Sequence, residues 1–155
     1  MSMSLGLFLS AALVASALAP QPLSQLPADL KPLLATLQRH GFTVHIALTP
    51  VRESYGLFQS KTRTLWISPL TFPLGIARQT FLHEATHAAQ SCPSGRLTSL
   101  GWKLNVDPVV ESAISFKLLK GYHHTDHTLD REAFFVQGQS DAVTRLVRSL
   151  DERCE

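Results

Sequence analysis

The sequence predicts an α+β fold, in which a small antiparallel sheet of about three strands packs on helices. Three short segments rich in β-branched and aromatic residues lie between residues 42 and 68, and helical periodicity precedes and follows them. The chain has 155 residues, of which 45% are hydrophobic and 17% are charged. This composition is typical of one domain that buries an apolar core.

The first predicted element of the domain is a helix. Leu30, Leu33, Leu34 and Leu37 follow the i, i+3, i+4, i+7 spacing, which places them on one face of a helix. Gly41 follows shortly afterwards, at a position where glycine commonly ends a helix.

Three strands are predicted next. Residues 42–48 alternate in polarity and end at a Thr-Pro pair, and residues 55–59 and 64–68 are two further short runs of strand-forming residues. The polar residues 60–63 between the last two runs predict a hairpin turn. We expect the sheet to be built from these segments.

The rest of the chain is predicted to be helical. The periodic stretch 72–90 ends at a segment that contains proline and glycine. Asp107 and Pro108 suit the N-cap and the first position of the next helix. Two more helices are predicted within residues 129–139 and 140–154.

Residues 1–19 are predicted to be a signal peptide, because an apolar run is followed by small residues that indicate cleavage near Ala17 or Ala19. The Pro-rich residues 20–27 are predicted to be a linker, and residues 28–155 the domain. The apolar run is shorter than the roughly 20 residues that cross a bilayer. We therefore expect an exported protein, periplasmic or secreted, without a stable membrane span. It stays membrane-anchored only if the segment is not cleaved.

The charge of the chain argues against a nucleic-acid partner. The net charge is only +2, and no basic cluster exceeds two residues. A nucleic-acid-binding domain usually carries a pronounced basic patch.

The most informative stretch is TFLHEATHAAQ, which contains the pattern H-E-x-x-H at His83, Glu84 and His87. Residues i and i+4 share one face of a helix, so both imidazoles can bind one zinc ion. The intervening glutamate is then placed to act as a general base on water. The uncharged flanks of the motif indicate a buried helix, as such a site requires.

A catalytic zinc usually has three protein ligands and an open position, so the chain has to provide another ligand. Glu132 is the preferred candidate, because a carboxylate beside apolar residues of a predicted helix requires a partner. Asp130 is an alternative in the same helix. A polar segment before it holds further candidates: Tyr122, His123, His124 and His127. Any of these could stabilise the oxyanion of the substrate or supply a ligand, and each is also consistent with a solvated turn.

The stretches TFLHEATHAAQ and DREAFF together resemble the gluzincin zinc metallopeptidases in a minimal, single-domain form. The resemblance covers most of the predicted domain and extends to uncharacterised secreted proteins of cyanobacteria. It implies a zincin-like core, in which His83, His87 and Glu132 bind zinc and Glu84 is the general base. It also implies that residues 64–68 form a strand with a free edge, along which an extended peptide substrate binds.

These patterns predict an exported, monomeric, Zn²⁺-dependent metalloendopeptidase that hydrolyses peptide or protein substrates. The alternative is a catalytically inactive zinc-binding module that serves outside the cytoplasm as a binding or scaffold domain. In an exported chain Cys92 and Cys154 could also form a disulfide, which would tie the C-terminal segment to the end of the H-E-x-x-H helix.

Overall fold

The computed structural model of the 155-residue chain describes residues 15–121 and 127–155, without the side chains of residues 120 and 121. Its main elements are, in chain order, α1 (Lys31–Arg39), β1 (Thr43–Ile46), β2 (Gly56–Gln59), β3 (Thr64–Ile67), α2 (Ala77–Gln90), α3 (Pro108–Gly121), α4 (His127–Gln137) and α5 (Ala142–Arg153). Short 3₁₀ turns precede α1 and α2 and connect β2 to β3.

The sheet is mixed, with the strand order β1-β3-β2. β1 pairs with β3 in parallel, with Thr43 opposite Thr64, and β2 pairs with β3 in the antiparallel sense, with Gly56 opposite Ile67. The predicted α+β class and the three strands are confirmed, but an antiparallel sheet is wrong for the β1–β3 pair. Residues 47–55 cross from one edge of the sheet to the other, where β2 lies. The hairpin then places β3 between β1 and β2.

The strand order places β3 in the centre of the sheet. Thr64, Leu65 and Ile67 are accordingly buried. Because both sides of β3 are already paired, residues 64–68 do not present the free edge that the resemblance implied. β1 and β2 are the two edges of the sheet; β1 carries an isolated bridge to Gln21, and among the described residues no strand pairs with the outer side of β2.

The H-E-x-x-H helix, α2, lies between the sheet and the helices α4 and α5. Every residue from Phe81 to Gln90 is buried, which confirms the environment that the uncharged flanks indicated. Ala85, Ala88 and Ala89 are fully buried. Their small side chains let neighbouring elements approach the helix on several sides.

The segment before α1 packs against the sheet. The backbone N–H of Gln21 donates to the carbonyl of Ile46 at 2.8 Å, and Leu26 is buried in the core. Residues 20–27, which the sequence predicts to be a linker, therefore contact the domain over part of their length. No described helix combines the length and apolar character needed to cross a membrane.

A disulfide between Cys92 and Cys154 connects the end of α2 to the end of α5. Arg153 reinforces the same junction, since its guanidinium donates to the carbonyls of Ala89 at 3.1 Å and Cys92 at 3.3 Å. The helix that carries the motif is thus fixed at its C-terminal end by a covalent bond and two charge-assisted hydrogen bonds.

Candidate metal centre

The two motif histidines project from one face of α2 and meet at their Nε2 atoms. His83 and His87 are one helical turn apart, and their Nε2 atoms are separated by 3.2 Å. Both residues are buried. The helix therefore brings two imidazole nitrogens together in a position largely shielded from solvent.

Asp130, in the first turn of α4, completes the cluster. Its Oδ1 atom lies 3.1 Å from Nε2 of His87 and 3.9 Å from Nε2 of His83. Asp130 is buried as well. Its side chain is brought to the histidines because α4 packs along α2.

The three residues fit a zinc ion in donor type and in spacing. The ligand atoms all lie within 4.8 Å of one another. Four ligand atoms at about 2.0–2.1 Å from a tetrahedral zinc are separated by about 3.3 Å, and two of the three separations here are close to that value. Two imidazoles and a carboxylate, with a fourth position left for water, are a common catalytic zinc set.

The pKa values of the two histidines differ in direction. Burial, together with the neighbouring His87, lowers the pKa of His83 to about 3. Burial also acts to lower the pKa of His87, but its hydrogen bond with Asp130 and the nearby charge of Glu84 outweigh it, and the net pKa is raised. The carboxylates thus favour a positive charge at this point, which either a proton or a metal ion supplies.

Each histidine is oriented by a glutamine through its other ring nitrogen. Nδ1 of His83 lies 3.1 Å from Oε1 of Gln137, and Nδ1 of His87 lies 2.7 Å from Oε1 of Gln90. The amide oxygen of each glutamine accepts a hydrogen bond from Nδ1–H, which leaves the lone pair of Nε2 for a metal. Both rings are therefore held in the tautomer with the proton on Nδ1, which is the one that binds a metal through Nε2.

Glu132 lies outside the ligand cluster, and its carboxylate has other partners. Oε2 accepts hydrogen bonds from Nε2 of Gln90 at 2.7 Å and from the backbone N–H of Leu100 at 2.9 Å. Oε1 accepts from the Ser99 hydroxyl at 2.8 Å and the Gly101 N–H at 3.1 Å. The structure thus places Asp130, instead of the predicted ligand Glu132, beside the histidines. Glu132 instead holds the glutamine that orients His87.

Helical geometry explains this exchange of roles. Residues two apart on a helix point in directions about 200° apart, so Asp130 and Glu132 cannot both face the same metal. Positions 130, 133 and 137 share a face, which carries Asp130, the buried Ala133 and Gln137. Glu132 shares its own face with the fully buried Val136, so only the rotation of α4 against α2 decides between the two carboxylates. The sequence analysis did not identify Gln137 or Gln90.

Glu84 lies against the edge strand β2. A Cβ atom at Gly56 would stand 2.5 Å from its Oε1 atom, so only glycine leaves room for the carboxyl group. Burial, supported by the charge of Asp130, raises the pKa of Glu84 to about 7, although His87 and a hydrogen bond from the backbone of Phe58 act in the opposite direction. A carboxyl group with this pKa can accept and release a proton near neutral pH.

The remaining predicted residues fall outside the cluster or outside the described chain. Tyr122, His123 and His124 lie outside the described residues. His127 is the partly buried first residue of α4 and does not belong to the group that could hold a metal. The described site therefore consists of the residues on α2 and α4, with Glu84 beside β2.

Replacing Glu132 by alanine should weaken zinc binding by about 10–100-fold, the usual effect of losing a hydrogen-bond partner of a metal ligand. Gln90 would lose the acceptor that fixes its amide, and His87 would become less well oriented. A competition titration with a chromophoric chelator measures the change. Glu152→Ala, on α5, is the matched control and should leave the affinity unchanged. Equal affinities for Glu132→Ala and wild type would show that Gln90 holds its orientation without Glu132.

Comparisons with known proteins give no relative of this chain. No protein-family model matches it, and neither curated proteins nor solved structures provide a significant match. The functional assignment therefore depends on the geometry of His83, His87, Asp130 and Glu84.

Proposed function

We propose that the protein is a zinc-dependent peptide hydrolase with a zincin-like centre, in which His83, His87 and Asp130 are the ligands. One observation carries the proposal: a buried three-residue cluster of the right donors lies beside a buried glutamate whose pKa is about 7. A structural metal site has no use for such a base. The aspartate ligand departs from the gluzincin pattern, in which this ligand is a glutamate.

Glu84 performs the proton transfers of the proposed reaction. Zinc, when bound by such a set, polarises a water molecule and the scissile carbonyl. Glu84 removes a proton from this water as its oxygen attacks the carbonyl carbon. It then gives the proton to the amide nitrogen as the C–N bond breaks, which returns the carboxylate to its starting state.

The substrate is proposed to bind as an extended strand along the outer side of β2. Glu84 contacts β2 at Gly56 and accepts a hydrogen bond from the backbone N–H of Phe58. A peptide that pairs with β2 would replace Glu84 at the Phe58 N–H and Ser54 at the Gly56 carbonyl, and it would pass directly beside the general base. In this proposal β2 positions the scissile bond. The prediction from sequence had given that role to residues 64–68.

Export remains part of the proposal. The Cys92–Cys154 disulfide is of the kind that persists in oxidising compartments, and an apolar segment followed by small residues stands at the N-terminus of the sequence. Both features support a periplasmic or secreted enzyme.

The test compares wild type with Glu84→Gln for bound zinc and for cleavage of a fluorogenic peptide library. We expect stoichiometric zinc in both proteins, because Glu84 is not a ligand, and a loss of cleavage by about 10²–10⁴-fold in the variant. Glu111→Gln, exposed on α3, is the control that should retain full activity.

Two results would overturn the proposal. Wild-type protein without stoichiometric zinc would remove the metal centre. Zinc binding without cleavage that depends on Glu84 would favour the alternative function, a zinc-binding scaffold that does not hydrolyse peptides.

A further inference from the structure

A concave feature lies at the N-terminal end of β2. Its lining residues are Leu48, Thr49, Val51, Arg52, Glu53, Ser54, Tyr55 and Leu70. Four of them are large apolar side chains with high exposure: Leu48 at 50%, Val51 at 53%, Tyr55 at 49% and Leu70 at 39%. Clustered exposed apolar groups of this kind usually mark a binding surface.

The walls of this pocket are braced by internal hydrogen bonds. The Thr49 hydroxyl contacts the carbonyls of Val51 at 2.5 Å and Ser54 at 3.3 Å. The Ser54 hydroxyl donates to the carbonyl of Gly56. These two hydroxyl groups of the loop are thus engaged by backbone carbonyls nearby, which holds the loop in a defined shape beneath the exposed apolar side chains. A braced loop also binds with a smaller loss of conformational entropy.

The pocket is adjacent to the proposed catalytic site. Tyr55, one of its walls, directly precedes Gly56, the residue that Glu84 contacts. A strand advances about 3.3 Å per residue, so the pocket begins within one or two residues of the general base along β2. A substrate strand paired with β2 would place a side chain close to the pocket.

We propose that this pocket binds a large aliphatic or aromatic side chain of the substrate, close to the scissile bond. The inference rests on the proposed function and adds a substrate class to it. The two charged side chains at the pocket, Arg52 and Glu53, have opposite signs and give no net preference for a charged group. Apolar burial is then the main source of selectivity.

The test uses zinc-loaded protein and two series of dipeptide hydroxamates. In one series the dipeptide lies on the N-terminal side of the metal-binding group, and in the other it lies on the C-terminal side. Within each series one side chain is Leu, Phe, Ala or Asp. We expect the Leu or Phe member of one series to bind at least about tenfold more tightly than the Ala member, since a few methylene groups provide that much discrimination. Leu48→Asp should abolish this preference. The control Val109→Asp, on an exposed position of α3 outside the pocket, should retain it.

The outcomes separate the pocket from the catalytic proposal. An apolar preference that Leu48→Asp removes supports the pocket, even in a protein that does not hydrolyse peptides. Hydrolysis with a preference that Leu48→Asp leaves unchanged would overturn the pocket and leave the enzyme in place. The absence of any preference among the hydroxamates that bind would also overturn the pocket, whereas no binding of any hydroxamate to zinc-loaded protein would overturn the proposed metal centre and the pocket proposal with it. Leu48 is half exposed, so its replacement should not unfold the protein.

Discussion

Asp130→Asn should lower the affinity for zinc by more than about 100-fold. The substitution keeps the size of the side chain but removes the negative charge that faces both histidines at 3.1 and 3.9 Å. A neutral amide oxygen is a much poorer zinc ligand than a carboxylate. The loss should exceed that of Glu132→Ala, because hydrogen-bond partners of a ligand contribute only about 10–100-fold.

Equilibrium competition with a chelator, together with metal analysis of the purified protein, measures this affinity. Asp141→Asn is the matched control, since its carboxylate pairs with Arg145 at the surface, 2.7 Å away. Circular dichroism of the metal-free proteins establishes that the variant is folded. If Glu132→Ala lost more affinity than Asp130→Asn, the ligand would be Glu132 and the roles derived from the structure would be reversed.

Removal of the disulfide should cost about 4 kcal/mol of unfolding free energy. The bond connects residues 62 positions apart, and closing a loop of this length restricts the unfolded chain by about that amount. Whole domains are stabilised by only about 5–15 kcal/mol, so the double variant Cys92→Ser, Cys154→Ser should unfold at a markedly lower urea concentration.

Urea unfolding monitored by tryptophan fluorescence measures this change. Dithiothreitol should destabilise the wild type by a similar amount and leave the double variant unaffected, which separates the loss of the bond from the effect of the serine side chains. A difference below about 1 kcal/mol between oxidised wild type and the double variant would contradict the expectation. It would mean that Arg153 and the packing of α5 suffice to fix the end of α2.

The helices and strands could be predicted because their signals are local. The spacing of Leu30, Leu33 and Leu37 specifies a helix face within a few residues, and these side chains are buried. The three strands likewise begin and end close to the predicted positions. The strand order could not be predicted, because alternation of polarity specifies which face is buried and not which neighbour pairs.

The site was predictable to the extent that it is contained in one helix. The positions of His83, Glu84 and His87 follow from the period of α2 alone. The contribution of α4 depends on how that helix is rotated against α2, and a choice between Asp130 and Glu132 requires that rotation. Gln90 lies three residues after His87 on the same helix, but the partner that fixes its amide, Glu132, lies 42 residues away in the chain.

The carboxylate of Glu132 links the candidate metal centre to residues 99–101. The same two oxygens hold the Gln90 amide and the backbone N–H groups of Leu100 and Gly101. Free-energy coupling between two sites is reciprocal. If the ordered loop strengthens metal binding, a bound metal stabilises the ordered loop by the same free energy. The exposed segment after α2 is then a reporter of metal occupancy, and a molecule that binds the loop would act as an effector of the buried centre.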